Sequence, residues 1–299
     1  MKIKMLPLDQ DLQKAKESLT GFEDISRRVL NYLPNVISSV ERKGNYDVLT
    51  SQIAGTTKYL RPINRTLFFY DVDDFCQSFL DFREVLVKIR SKDLLSEEEK
   101  NIIDRTVYTI QQSIGAGLDL LVNPNSARKH VGNRFEELIK CIFSSIGISN
   151  KRIVLQIPYD TDEGGKTYKC ENDLILSPYN EVRSTSTTLD EAELVVSAKT
   201  TSKDRMGKIF IDKMLLERFV GHCQRVVGIF LNDVQRKDAN NISYTLVSGL
   251  FMVYSNFLTQ LDGIYYLDPP PNALIKPYSD HMKRFSELIS VDIKKLLSS

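Results

Sequence analysis

The chain has few cysteines, no tryptophan and no long apolar run, and each shortage excludes a class of protein. Its four cysteines are scattered among 299 residues without a Cys-x-x-Cys pair, so neither a zinc site nor a disulfide framework is expected. No apolar stretch approaches the roughly 20 residues of a membrane helix. The first residues also lack the apolar core of a signal peptide. We therefore predict a cytoplasmic protein with no membrane partner.

An excess of charge of one sign is also missing, because 40 basic and 39 acidic residues leave a net charge of +1. This balance argues against bulk electrostatic attraction to nucleic acid. One segment departs from it: residues 199–213 hold five basic and two acidic side chains, a local net charge of +3. Taken alone, that count favours a solvated helix face. It also suits an enzyme that grips DNA in one cleft.

The apolar pattern changes near residue 123. Residues 1–122 have apolar spacing close to the helical period, and we predict a helical N-terminal region that serves dimerisation or DNA clamping. After the break at Asn123-Pro124, helical and strand patterns mix through residues 123–299. The second part is therefore predicted to be a separate α/β domain.

Two acids and a lysine stand at strand ends or on the next helix in this second part. Asp173 lies within a predicted strand over 168–176, and Lys199 ends a predicted strand over 193–199. Because residues two apart share a strand face, Ser197 and Lys199 point the same way. Two carboxylates that hold a divalent cation, beside a lysine that stabilises charge or helps to activate water, suit metal-assisted phosphodiester hydrolysis.

The second acid is sought on a helix predicted over 203–219, with Ser202 as its N-cap. At roughly 100° per residue, Arg205, Lys208 and Asp212 fall within an arc of about 60°. Glu217 lies about 140° from Asp212, so the two cannot both face one metal ion. Asp212 is the first choice and Glu217 the alternative.

Taken in order, these residues resemble the PD-(D/E)xK nuclease superfamily, and within it type II restriction endonucleases that read CCGG or CCNGG-type sites. In that group a small residue, often serine, replaces the second acid of the strand motif, and a carboxylate on the next helix takes over its role. Ser197-Ala198-Lys199 followed by Asp212 matches this SxK variant. The likeness covers roughly residues 126–232, with Asn172 in place of the usual proline.

A triplet that reads G·C pairs stands four residues after the lysine in those enzymes, and Lys203-Asp204-Arg205 occupies that offset here. Arg or Lys donates to guanine O6 and N7, whereas Asp accepts from cytosine N4. Lys203 replaces the commoner arginine of the family, and Asp212 is shorter than its usual glutamate.

The superfamily also places a glutamate on the helix before the core strands, where it supports the metal site. Glu136 matches this position best and Glu137 is next. A surface acid on an amphipathic helix is an equally good interpretation of either residue.

The resemblance implies a restriction-endonuclease-like α/β fold, a mixed sheet flanked by helices, with residues 123–299 as the catalytic domain. It also implies Mg²⁺-dependent cleavage of double-stranded DNA at a short, G·C-containing site, by a homodimer that has a companion DNA methyltransferase. The implied metal residues are Asp173, Asp212 and Glu136, with Ser197 and Lys199 in the catalytic set and Lys208 and Lys213 at DNA phosphates. A structure-specific repair or junction nuclease, or a noncatalytic DNA-binding module, remains the alternative.

Overall fold

The computed structural model describes residues 6–53, 55–236, 241–244 and 247–298. Contacts divide the chain into one unit of Met1–Cys141 with Asp233–Thr245 and a second of Ile142–Asn232 with Leu246–Ser299. The predicted division at residue 123 gives two continuous segments, whereas each of these units combines two separate segments of the chain. Nowhere in the described part does a helix combine the length and apolarity that a membrane span needs.

The first unit is built mainly on helices that have well-defined starts. The side chain of Asp71 caps one helix by accepting from the backbone N–H groups of Asp73 and Asp74. Ser96 and Glu99 form a reciprocal capping box at the start of another. The helices are α1 (Leu8–Gln13), α2 (Leu19–Val36), α3 (Val72–Ser91), α4 (Glu97–Leu121) and α5 (Pro124–Ser145), within which the division falls.

The N-terminal region, predicted to be mostly helical over residues 1–122, also contains three strands that the sequence analysis did not identify. An antiparallel meander connects α2 to α3, with strand order β1-β2-β3. The dipeptide Gly44-Asn45 between two runs rich in β-branched residues is a two-residue hairpin signal, and Gly44 adopts φ 57° there. The strands are β1 (Ile37–Lys43), β2 (Tyr46–Ile53) and β3 (Thr56–Asn64).

The second unit contains a six-stranded mixed sheet within the described residues, as the α/β prediction requires. Its order is β11-β10-β7-β6-β5-β4, antiparallel from β4 to β6 and parallel from β6 to β11. The strands are β4 (Ser149–Thr161), β5 (Gly164–Ser177), β6 (Leu194–Thr201), β7 (Arg225–Asn232), β10 (Gly263–Tyr266) and β11 (Met282–Arg284). The hairpin of β8 (Val234–Arg236) and β9 (Ile242–Tyr244) belongs to the first unit.

Helices pack on the sheet because its central strands are apolar on both faces. β7 is buried from Val226 onward, as expected of a parallel strand covered on two sides. Its Gly228 lets neighbouring side chains approach, since a Cβ there would lie 2.8 Å from Ile264 Cδ1. The helices are α6 (Met206–Val220), α7 (Gly249–Phe257), α8 (Phe285–Glu287) and α9 (Ile293–Leu297).

Candidate active site

Asp173 lies where β5 stops pairing with β6. The ladder between the two strands begins at Leu174, which pairs with Val196. Asp173, one residue earlier, therefore lies just outside this ladder. Asp173 Oδ2 accepts three hydrogen bonds, from Lys199 Nζ at 2.5 Å, the Ala198 N–H at 2.9 Å and Ser197 Oγ at 3.3 Å. The end of β6 therefore fixes this carboxylate in place.

Lys199 is held on the same face as Ser197, as the period of two residues along a strand predicts. Its side chain retains 30% exposure, whereas that of Asp173 retains 10%. The ammonium group is thus anchored on a nearly buried carboxylate, while part of the lysine side chain still faces solvent. Such a group can meet a charged substrate without being fully desolvated beforehand.

The predicted start of the next helix is wrong. Ser202 does not cap it with its side chain, and Lys203–Arg205 form a 3-10 turn before α6 begins at Met206. Backbone bonds to the Ser202 carbonyl close this turn, while the Ser202 hydroxyl is buried and has no hydrogen-bond partner among the described residues. Arg205 is exposed at the end of the turn. The side chain of Asp204 lies outside the described part of the chain.

Asp212 on α6 binds Lys208 one turn earlier. Lys208 Nζ donates to Oδ1 at 2.6 Å and to Oδ2 at 2.5 Å, so both carboxylate oxygens contact one ammonium group. Burial lowers the pKa of Lys208, but the hydrogen bond and charge of Asp212 outweigh it and raise that pKa above its ordinary value. Burial, followed by the charge of Asp212, likewise raises the pKa of the nearby Cys170 thiol.

These side chains share one cavity of about 210 Å³ in the second unit. Six predicted site residues line it: Asp173, Ser197, Lys199, Arg205, Lys208 and Asp212. Glu171 and Asn172 also line the cavity. The sequence analysis did not consider Glu171, and it named Asn172 only as the residue in place of the usual proline. The strand period could have identified Glu171, since it lies two residues before Asp173.

Comparison with known proteins rests on structure, because no family model and no curated protein matches the chain. The type IIP restriction endonuclease Kpn2I matches with a TM-score of 0.72 over 97% of both chains, at 17% sequence identity. The chain folds like a type II restriction endonuclease. This confirms the predicted fold class.

A second solved structure, restriction endonuclease PspGI in complex with substrate DNA, covers 74% of this chain and 92% of its own. Its TM-score is 0.42 at 14% sequence identity.

The donors in the cavity fit a hard divalent cation. Among the described residues, every hydrogen bond to the Asp173 carboxylate goes to Oδ2, so its Oδ1 can serve as a ligand atom. Asp212 adds two more carboxylate oxygens, and Mg²⁺ binds through one or two carboxylates together with water and phosphate oxygens. The described residues do not gather three or more His, Cys, Asp or Glu side chains in one metal-binding group. Water and substrate would therefore complete the shell.

The two glutamates considered for metal support lie on α5, in the first unit. Glu137 is occupied there: it accepts from Arg134 Nε at 2.7 Å and from the Lys16 backbone N–H at 2.8 Å. Glu136 is half-buried. The part of either glutamate in metal binding stays a prediction.

Glu217 and Lys213, in the second half of α6, belong to a different network. Lys213 is buried and its Nζ lies 3.0 Å from Asp262 Oδ2 and 3.6 Å from Glu217 Oε1. Glu217 also accepts from the Gln224 backbone N–H, and Asp262 accepts from that of Val226. These contacts disfavour both Glu217 as the metal acid and Lys213 as a phosphate contact.

Proposed function

We propose that the protein is a type II restriction endonuclease that hydrolyses phosphodiester bonds of double-stranded DNA at a short, G·C-containing site with Mg²⁺. The observation that supports this best is the shared cavity of Asp173, Lys199 and Asp212. Two carboxylates and an anchored ammonium group in one cleft are the groups that metal-assisted hydrolysis of a phosphodiester requires. A restriction-endonuclease fold around that cleft agrees with this chemistry.

Asp173 and Asp212 would hold the cation, with Glu136 in support. The chemistry that such a cation would supply is polarisation of the scissile phosphate and a lower pKa for the attacking water. Lys199 donates to a nonbridging phosphate oxygen, where charge develops, or orients that water. Ser197 and the Ala198 N–H keep the Asp173 carboxylate in position through the bonds to its Oδ2. In this proposal Ser197 is a positioning residue.

Recognition is assigned to the turn that precedes α6. Lys203, Asp204 and Arg205 would reach base edges in the major groove, where Arg pairs with guanine and Asp with cytosine. The exposed Lys208 would contact a phosphate. Cleavage of both strands of a symmetric site requires two such clefts, so the working form is a homodimer. Host DNA then needs protection by a companion DNA methyltransferase.

Digestion of phage DNA tests this function directly. The full-length protein with Mg²⁺ should convert linear duplex into discrete fragments, and sequencing of their ends gives the site and the cut position. The Asp173→Asn variant should yield none. A junction or repair nuclease would leave the linear duplex intact, and a noncatalytic module would retard DNA without cutting it in Mg²⁺ or Mn²⁺. Either result would refute the proposal.

A further inference from the structure

Lys208 is in an unusual position for a helix-stabilising lysine. It is the third residue of α6, and its acid partner follows it by one turn. The positive end of the helix dipole disfavours a cation in the first turn. An acid before a lysine is also the better order for a pair four residues apart. Helix stability therefore does not explain why Lys208 stands here.

The geometry of the pair is that of a cation held by a chelating carboxylate. Lys208 Nζ contacts Asp212 Oδ1 and Oδ2 at nearly equal distances, 2.6 and 2.5 Å. Both atoms that Asp212 could offer to a metal ion are thus engaged by one ammonium group. In the same cavity, Lys199 engages a single oxygen of Asp173. Lys208 thus engages both carboxylate oxygens of its acid, whereas Lys199 engages one.

From this contrast we infer that Lys208 is an exchangeable stand-in for the divalent cation: it occupies Asp212 in the metal-free protein and moves to a DNA phosphate when a cation binds. The inference rests on the proposed function. The Lys208 side chain is 55% exposed, so it can leave Asp212 without breaking a packed core. Its charge stays in the cleft with the exposed Arg205, where a DNA backbone would pass.

The exchange has a direct consequence for metal affinity. Because the cation must displace an ammonium group from Asp212, the protein alone should bind cations more weakly than its carboxylates permit. Removal of the Lys208 charge should then strengthen cation binding. A lysine that merely stabilised the fold would have the opposite effect or none, since its loss would loosen α6.

The displacement of Lys208 from Asp212 by a cation is tested by titration of the DNA-free, full-length protein with Mn²⁺, followed by electron paramagnetic resonance. Lys208→Gln should bind Mn²⁺ several-fold more tightly than the unmodified chain, whereas Lys208→Arg should bind it about as weakly. Lys294→Gln removes an exposed positive charge from α9 and serves as the matched control, with no change expected. Thermal unfolding checks that each variant is folded.

A second measurement tests the phosphate contact. DNA binding is measured against salt concentration in Ca²⁺, whose flexible coordination differs from the octahedral shell of Mg²⁺. The log–log slope for Lys208→Gln should be shallower than that of the unmodified chain by about one unit. In EDTA the two proteins should have equal slopes, because Lys208 then stays on Asp212.

The inference fails if Lys208→Gln binds Mn²⁺ no more tightly than the unmodified chain, or if Lys294→Gln gains as much. Equal slopes in Ca²⁺ would refute the movement of Lys208 to a DNA phosphate. If neither protein binds Mn²⁺, the exchange is also refuted. Tighter Mn²⁺ binding by Lys208→Gln in a chain that never cuts duplex DNA would support the exchange and refute the restriction activity, so the two failures are distinguishable.

Discussion

The two halves of α6 use the same residue type in opposite ways. Lys208 pairs with Asp212 at the surface, where the two side chains are 55% and 30% exposed. Lys213, five residues later, pairs with Asp262, and its own side chain is only 8% exposed. One pair lies in the candidate active site, whereas the other joins the helix to the start of β7 and β10.

The physical basis of this difference is solvation. An exposed pair contributes about 0–1 kcal/mol, because water competes for both charges. Removal of one partner from a buried pair costs about 3–5 kcal/mol, because an uncompensated charge stays behind. Substitutions in the cleft should therefore change chemistry or binding, and substitutions in the second half of α6 should change stability.

The largest effect is expected for Lys199→Ala. The loss of the ammonium group that Asp173 anchors should lower the single-turnover cleavage rate at least about 1000-fold, or about 4 kcal/mol, because charge on the phosphate is no longer neutralised. Specific DNA binding, measured by fluorescence anisotropy, should change little. Cleavage within tenfold of the unmodified protein would contradict the role. Loss of both DNA binding and a cooperative unfolding transition would indicate misfolding.

Asp212→Asn and Glu217→Gln compare the two acids on the helix. Asp212→Asn should lower cleavage by about 100-fold or more and weaken Mn²⁺ binding, since the cavity loses a carboxylate. Glu217→Gln should keep Mn²⁺ binding and lose some stability through its contacts to Lys213 and the Gln224 backbone. Calorimetric Mn²⁺ titration of both variants decides between them. The reverse result would make Glu217 the metal acid.

Lys213→Met should reduce the free energy of unfolding by about 3 kcal/mol, the lower end for a buried pair because Asp262 keeps 28% exposure. Lys208→Met is the matched substitution on the same helix and should cost at most about 1 kcal/mol. Urea unfolding followed by circular dichroism measures both. Equal losses would mean that solvation does not separate the two halves of α6.

Sequence periodicity was sufficient for the parts of the fold that depend on local pattern. The strand period put Ser197 and Lys199 on one face, and the helical period grouped Lys208 with Asp212. β5, β6 and α6 lie where apolar runs predicted them, within a few residues. The structure adds that these faces meet at one cavity, which a single strand or helix pattern cannot specify.

What the sequence could not supply depends on distant partners. Asp262 is 49 residues from Lys213 in the chain, so the local sequence around that lysine could not predict the pair. The apolar pattern of residues 279–297 predicts one closing helix. Met282–Arg284 instead form β11, because the edge of the sheet at β10 offers hydrogen bonds that outweigh local propensity. The predicted cap at Ser202 failed since the turn closes through its carbonyl.

A smaller effect than at Lys199 or Asp212 is expected at the turn before α6, where Arg205 is exposed and makes no anchoring pair among the described residues. Arg205→Ala should weaken cognate binding by about 2 kcal/mol, within the range for one lost bidentate base contact, and weaken nonspecific binding less. Competition titrations with cognate and scrambled duplexes measure the difference. Lys203→Ala provides the comparison within the same turn. Equal losses on both duplexes would make Arg205 a phosphate contact, in the manner proposed for Lys208, and would leave base reading to its neighbours.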